Sequence, residues 1–151
     1  MGKALYYTCA MMNRTLVKHV LDSEEEMPDV LIQGWVRTRR DSKAFSFLEV
    51  NDGSSVASLQ VVADEGIPGY ERIGEMATGS AVSIRGALVA GQGRQRGELS
   101  AASLELVGAV PDSYPLQKKG HTPEFLRSIA HLRPRTNLFG AVFSMSWRLA
   151  F

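Results

Sequence analysis

The chain has 151 residues, a formal net charge of +1 and 44% hydrophobic residues, which is typical of a globular protein with one core. No apolar run reaches the roughly eighteen residues of a membrane-spanning helix, and the N-terminal segment lacks the cleavage site of a secretory signal. We therefore expect a cytoplasmic protein with no membrane contact. A single cysteine excludes an internal disulfide, and the three histidines have no metal-ligand spacing, so no metal site is predicted.

The charged residues are clustered. From Pro115 to Phe151 there are six basic residues and one acidic residue, a local charge of +5. Four further bases lie close together upstream: Arg37, Arg39, Arg40 and Lys43. Such clusters indicate a surface for an anionic partner, and the alternative is an ordinary solvated face.

An N-terminal helix is predicted over residues 14–21, where four aliphatic residues repeat at helical spacing before a run of acids and Pro28. From Val30 the pattern changes to short β-type segments. Three strands are predicted in a meander, over residues 30–38, 45–51 and 58–63. The dipeptide Asp52-Gly53 is predicted to form the turn after the second strand.

One short amphipathic helix is predicted next, from Ile67 to Met76, because apolar residues recur every third position and Gly79 follows. Two more strands are predicted over 81–89 and 98–107. The glycine-rich segment 91–97 joins them as a flexible hairpin loop. It lacks the Gly-Lys-Ser/Thr ending of a phosphate-binding loop and lies between strands, so we assign no nucleotide to it.

Three strands, a helix and two strands form the element order of the OB-fold, whose strand 2 and 3 face binds oligonucleotides. The predicted fold class is an all-β core, a five-stranded OB-fold barrel with one helix between strands 3 and 4, an N-terminal helix and a C-terminal helical hinge segment. An SH3-like barrel is the alternative, and the helix between strands 3 and 4 disfavours it.

The C-terminal part begins with a linker marked by two prolines. A helix is predicted over 122–132, with Thr122 as its cap and Pro123 in its first turn, ending at Arg133-Pro134. A further apolar helical pattern from Asn137 to Phe151 has no stop signal. We interpret that pattern as a sign of a truncated chain.

The alternation of side chains along a strand predicts which residues face outward. Leu48 and Val50 are the natural core pair of the second strand, which places Phe47 on the other side. Leu59 and Val61 fill the same role in the third strand, which places Gln60 outward. Phe47 and Gln60 are thus predicted on one outer face of neighbouring strands.

An aromatic ring beside an amide is a base-reading pair. The ring offers a stacking platform worth roughly 1 to 3 kcal/mol per base, and the amide offers a donor and an acceptor. Uracil, with a carbonyl beside its N3–H, matches both groups of Gln60. The basic segment from Arg37 to Lys43 is predicted to hold phosphates. The alternative is that Phe47 only covers a barrel edge and Gln60 is an ordinary surface residue.

The segments 36–41, 45–53 and 59–62 resemble the anticodon-binding OB domain shared by asparaginyl-, aspartyl- and lysyl-tRNA synthetases. Downstream, 114–119, 121–127 and 131–137 resemble the hinge that leads into the class II catalytic core. The Leu-Gln-Lys-Lys run and the Arg-Pro-Arg-Thr-Asn-Leu-Phe-Gly run are most similar to the bacterial-type asparaginyl enzyme. The resemblance covers about Asn13 to Val142.

The resemblance implies roles for individual residues. Phe47 stacks on the central anticodon uridine, Gln60 reads its Watson-Crick edge and Arg40 contacts the anticodon loop. Arg37 and Arg39 are implied as phosphate contacts. No residue of this chain is predicted to be catalytic.

The resemblance also implies four regions: a leader and N-terminal helix (1–27), the OB-fold anticodon-binding domain (28–110), the hinge (111–136) and the start of a class II catalytic domain (137–151). The full-length family enzyme binds tRNA, uses ATP and magnesium, and is a homodimer. Motifs 2 and 3 are missing here, so we expect no cofactor and no aminoacylation by this chain alone. The alternatives are a stand-alone nucleic-acid-binding module, an aspartyl-type fragment and a protein-interaction barrel.

Overall fold

The computed structural model describes residues 14–90, 97–117 and 120–150. The leader and most of the glycine-rich loop therefore lie outside the described residues. The elements in chain order are α1 (Val17–Asp22), β1 (Met27–Asp41), β2 (Phe45–Asn51), β3 (Leu59–Asp64), a 3-10 helix (Tyr70–Glu75), β4 (Ala81–Ala90), β5 (Gly97–Gly108), α2 (Pro123–Ser128), a second 3-10 helix (Arg133–Arg135) and α3 (Asn137–Ala150).

The five strands form a closed barrel in the order β1-β2-β3-β5-β4. Neighbouring strands are antiparallel except for β3 and β5, which run parallel and close the barrel. Closure leaves no long free sheet edge. The predicted five-stranded OB-fold is confirmed.

The core consists of the inward side chains of the strands together with α1 and part of the segment after β3. Leu48, Val50, Leu59 and Val61 are fully buried, as the alternation of apolar residues predicts. Burying each large aliphatic side chain stabilises the fold by about 1.5 to 3 kcal/mol relative to leaving it exposed. Because these four residues point into the barrel, the residues that alternate with them on β2 and β3 face outward.

The turn between β2 and β3 holds α1 against the barrel. Val17 N donates to Asp52 Oδ2 at 3.0 Å, and Lys18 N donates to Ser54 Oγ at 3.0 Å. These are amides of the first helical turn, which have no partner inside the helix. The predicted turn residue Asp52 therefore also stabilises the start of a helix 35 residues away in sequence.

The segment between β3 and β4 is a 3-10 helix, where an ordinary amphipathic helix was predicted. Its apolar residues recur every third position, which is the repeat of a 3-10 helix. The helix begins at Tyr70, because Gly69 has a φ of +90° and interrupts any earlier start at Ile67. Met76 follows it and is fully buried.

Several predicted bounds differ from the structure. The first strand is longer than predicted and spans Met27–Asp41, while α1 begins at Val17. The helix predicted over 122–132 ends at Ser128, and turns follow. Its cap is as predicted, since Phe125 N donates to Thr122 Oγ1 at 3.3 Å. Across the described ranges, no helix is both long enough and apolar enough to cross a membrane.

Candidate nucleic-acid interface

Phe47 and Gln60 lie on the same outer face of β2 and β3. Both are half-buried, and each lies between fully or almost fully buried neighbours on its strand. Phe47 is paired with Val62, and Gln60 is paired with Glu49. Phe47 and Gln60 are therefore diagonal neighbours, and the Cα atoms of such a pair are about 7 to 8 Å apart in a typical antiparallel sheet. The structure brings these two predicted site residues together.

A β-bulge brings Arg40 to the same face. The register of β1 against β2 shifts between Val36 and Thr38, so that Val36 pairs with Val50 and Arg40 pairs with Phe47. Without the extra residue, the Arg40 side chain would point into the barrel, as the Val36 side chain does. With it, the exposed guanidinium extends beside Phe47. No hydrogen bond or ion pair of Arg40 occurs within the described residues.

Gln60 is held by a carboxylate on the next strand. Gln60 Nε2 donates to Glu98 Oε2 at 3.0 Å. The contact follows from the parallel pairing of β3 with β5, in which Val61 is opposite Leu99. Sequence reasoning did not find Glu98, because β5 follows β4 in sequence and its pairing with β3 depends on barrel closure.

Arg39 lies away from this face. Because of the same bulge, Arg39 pairs with Leu48 and lies on the inward side of β1. This part of the strand is at the end of the barrel that the 3-10 helix covers. Its Nη1 donates to the carbonyl oxygen of Ile73 at 2.5 Å, and its Nε lies 3.3 Å from Asp41 Oδ2. The structure does not bring Arg39 together with Phe47 and Gln60.

Arg37 lies at the bulge and is directed toward the C-terminal segment. Its Nη2 donates to Asn137 Oδ1, the first residue of α3, at 2.6 Å. Burial lowers the pKa of the Arg37 guanidinium, but the group stays charged at neutral pH. Arg37 thus joins the barrel to α3, and it lies near Glu49 in the cleft at the edge of the Phe47 face.

A cleft of about 560 Å³ separates the barrel from the hinge. Thr38 and Glu49 line it from the barrel, and Tyr114, His121 and Asn137 line it from the C-terminal side. It borders the Phe47 face, because Glu49 is the outward residue that pairs with Gln60.

The hinge is held on the barrel by stacked and hydrogen-bonded side chains. The guanidinium carbon of Arg135 lies 5.2 Å from the centre of the Trp35 ring, and Arg135 Nη1 donates to Tyr114 Oη at 3.2 Å. The Tyr114 ring packs on Gly79, where an added Cβ would lie 2.3 Å from Tyr114 Cε1. Only glycine fits beneath that ring.

Among the described residues, no group of three or more His, Cys, Asp and Glu side chains is arranged to hold a metal ion. The Phe47 face consists of an aromatic ring, an amide, a guanidinium and the carboxylates of Glu49 and Glu98. Such groups bind nucleic acid through bases and phosphates.

The sequence profile of the tRNA anticodon family, an OB-fold nucleic acid binding domain, matches residues 30–107, more than half of the chain. The chain belongs to this family of OB-fold nucleic acid binding domains. The matched residues of this OB domain run from β1 to β5 and include Phe47, Gln60 and the basic residues of β1.

Two asparagine-tRNA ligases are similar to most of this chain. The asparagine-tRNA ligase of Nitratidesulfovibrio vulgaris is 51% identical over 142 residues, covering 93% of this chain and 31% of the ligase. The asparagine-tRNA ligase of Nostoc sp. is 51% identical over 136 residues, covering 88% of this chain and 29% of the ligase. The resemblance to asparaginyl-tRNA synthetases is confirmed, and the chain spans about 31% of the length of the curated relatives it matches.

Solved structures resemble the OB domain and its C-terminal extension. The asparaginyl-tRNA synthetase of Pyrococcus horikoshii matches with a TM-score of 0.68 at 25% identity, covering 83% of this chain and 30% of that enzyme. An aspartyl-tRNA synthetase from Entamoeba histolytica matches with a TM-score of 0.70 at 15% identity, covering 95% of this chain and 37% of that enzyme. The second likeness is one of fold alone.

Proposed function

We propose that this chain binds the anticodon loop of tRNA as the anticodon-binding region of an asparagine-tRNA ligase. The family, the identity to named ligases and the face built by Phe47 and Gln60 support this function. The observation that carries it is the diagonal placement of an aromatic ring and an amide on one outer wall of the barrel.

Phe47 serves as the stacking platform. The ring is half-buried on the outer face of β2, while the strand neighbours Ser46 and Leu48 are buried on the inner face and hold the strand that carries it. A base splayed from a loop can stack on the exposed side of the ring, gaining roughly 1 to 3 kcal/mol. Stacking provides affinity for any base, and it holds the base edge toward Gln60.

Gln60 reads the base edge. Its Oε1 accepts from uracil N3–H while Nε2 donates to a uracil carbonyl, which satisfies both polar groups of that edge. Arg40, opposite Phe47, binds a neighbouring phosphate. Arg37 and Arg39 have protein partners at Asn137 and Ile73, and their assignment as phosphate contacts remains a prediction.

The full-length protein is proposed to be an asparagine-tRNA ligase of the cytoplasm that uses ATP and magnesium through residues outside this chain. A homodimer is part of the same proposal. Its support is the row of exposed apolar side chains on α3, a surface that a second subunit would cover: Leu138, Val142, Phe143, Met145 and Leu149.

The function is tested by titrating the full chain with anticodon stem-loops that differ only in the central anticodon base. We expect the uridine stem-loop to bind more tightly than the cytidine stem-loop, with affinity that falls as salt rises. Equal affinity for both, or no affinity for either, would contradict anticodon reading. A stem-loop of unrelated loop sequence provides the baseline for general RNA binding.

A further inference from the structure

Phe45 is a second aromatic residue on the wall of the barrel that carries Phe47. It precedes Phe47 by two residues on β2, so the alternation of side chains places both rings on the outer face. Ser46, between them, is 1% exposed, and its hydroxyl donates to Asp41 Oδ1 at 2.9 Å and lies 3.0 Å from Tyr70 Oη. The strand beneath the two rings is therefore anchored from the inside of the barrel.

The Phe45 side chain is open to solvent. Phe45 is 42% exposed, and among the described residues no other aromatic ring stacks on it. The pairing of β2 with β3 is regular here, with Phe45 opposite Asp64 and Phe47 opposite Val62, so no bulge turns either ring to another face. An exposed ring beside a nucleic-acid face has the properties of a stacking platform for a base.

The spacing of the two rings fits unstacked nucleotides. An antiparallel strand rises about 3.4 Å per residue, so the Cα atoms of Phe45 and Phe47 are about 6.8 Å apart. Consecutive stacked bases are only about 3.4 Å apart along one strand of nucleic acid. Two neighbouring bases that occupy the two rings must therefore be unstacked from each other, as bases splayed from an RNA loop are.

The charges around Phe45 favour one orientation of a bound nucleotide. Arg40 on β1 and Lys43 in the turn that joins β1 to β2 are exposed cations, while Asp64, opposite Phe45 on β3, is an exposed carboxylate. Phosphates are attracted by the cations and repelled by the carboxylate. The sugar-phosphate backbone should therefore lie toward β1 and the base toward β3, which is also the orientation proposed for the central base.

We propose that Phe45 is a second stacking platform, which binds the base of a nucleotide next to the central one in the anticodon loop. The inference rests on the proposed function, because it assigns the neighbour of the base that Phe47 is proposed to bind. It extends the RNA-binding face by one nucleotide toward the turn between β1 and β2. Since every base can stack, Phe45 adds affinity and does not choose the sequence.

The test combines Phe45→Ala with anticodon stem-loops that lack the base on one side of the central uridine. Phe45→Ala should weaken binding of the intact stem-loop at least about fivefold, the lower end of the effect of removing a ring that stacks on a base. Removing the base at one of the two flanks should weaken wild-type binding by a similar factor, and Phe45→Ala should then cause no further loss. An abasic site at the other flank should leave the loss caused by Phe45→Ala unchanged.

Three further variants separate stacking from folding. Phe45→Leu keeps an apolar side chain but has no ring, so it should be as stable as the wild type in thermal unfolding and yet bind nearly as weakly as Phe45→Ala. Phe45→Trp keeps a ring and should keep wild-type affinity. Val107→Ala, which removes an apolar side chain that is 63% exposed on β5, is the control and should not change affinity.

Three results would overturn the inference while leaving the uridine preference of the wild-type chain intact. The first is wild-type affinity of both Phe45→Ala and Phe45→Leu. The second is an equal loss for Phe45→Ala with the intact stem-loop and with both abasic stem-loops. The third is unchanged wild-type affinity when either flanking base is removed. Absence of any uridine preference in the wild-type chain would instead refute the proposed function itself.

Discussion

Phe47 and Gln60 are diagonal neighbours across β2 and β3, with Val62 directly opposite the ring and Glu49 directly opposite the amide. One pyrimidine stacked on the ring therefore has its polar edge within reach of the amide. Arg40, opposite Phe47 on β1, completes the face with a positive charge.

Replacing Phe47 by alanine removes the proposed stacking platform. Affinity for a stem-loop with a central uridine should weaken by roughly 1 to 3 kcal/mol, measured by fluorescence or calorimetric titration. Phe125→Ala is the matched control, because Phe125 is a solvent-accessible aromatic residue, 39% exposed, that lies on α2 of the hinge and away from the barrel face. Unchanged affinity of the Phe47 variant would refute stacking at this position.

Replacing Gln60 by alanine removes the group that we propose reads the base. The ratio of uridine to cytidine affinity should fall toward one, because a good paired hydrogen bond contributes about 1 to 3 kcal/mol of base discrimination. The loss of total affinity should be smaller than that of Phe47→Ala. If discrimination persists in this variant, another residue must read the base.

Arg40→Gln removes the proposed phosphate contact. The slope of log affinity against log salt should become shallower by about 0.7 for one lost contact to single-stranded RNA. Discrimination between uridine and cytidine should stay as in the wild type, because phosphates carry no sequence information. Arg85→Gln, on β4 and paired with Asp29, is the charge-matched control. An unchanged slope for Arg40→Gln would remove it from the RNA-contacting set.

Asn137→Ala should weaken the connection between the barrel and α3 without changing anticodon affinity. The lost bond is the 2.6 Å contact from Arg37 Nη2, and we expect a loss of about 1 kcal/mol of unfolding free energy from a hydrogen bond to a partly exposed charge. A double-mutant cycle with Arg37→Ala measures the coupling by urea denaturation. Additive effects of the two substitutions would show that the contact contributes nothing.

Gly69→Ala should destabilise the barrel. Gly69 has a φ of +90°, and an added Cβ would lie 1.7 Å from the carbonyl oxygen of Leu104 on β5. We expect a loss of at least about 2 kcal/mol, because backbone strain and a backbone clash act together. Gly74→Ala, inside the 3-10 helix that follows Gly69 and with no neighbouring atom within 4 Å of the added Cβ, should be nearly neutral in thermal unfolding. Equal stability of the two variants would contradict this.

The position of the reading face was predictable from sequence because β2 and β3 are regular strands. Leu48, Val50, Leu59 and Val61 mark the core side, and regular alternation then places Phe47 and Gln60 outward. No irregularity interrupts the pairing of these two strands.

The placement of the basic residues was not predictable in the same way. A single extra residue at the bulge between Val36 and Thr38 moves the side chain of each later residue of β1 to the opposite face of the sheet. It sends Arg39 toward the 3-10 helix and Arg40 toward Phe47. Arg37 is held by Asn137, a partner 100 residues away, and no local pattern encodes such a contact.

The most direct test of the account is photocrosslinking of the chain to a stem-loop that carries 5-iodouridine at the central anticodon position. Iodouracil crosslinks to aromatic side chains stacked on it, so mass spectrometry should locate the adduct on Phe47, and Phe47→Ala should abolish it. A crosslink confined to the hinge, or one that persists in the Phe47→Ala chain, would contradict base reading on this face.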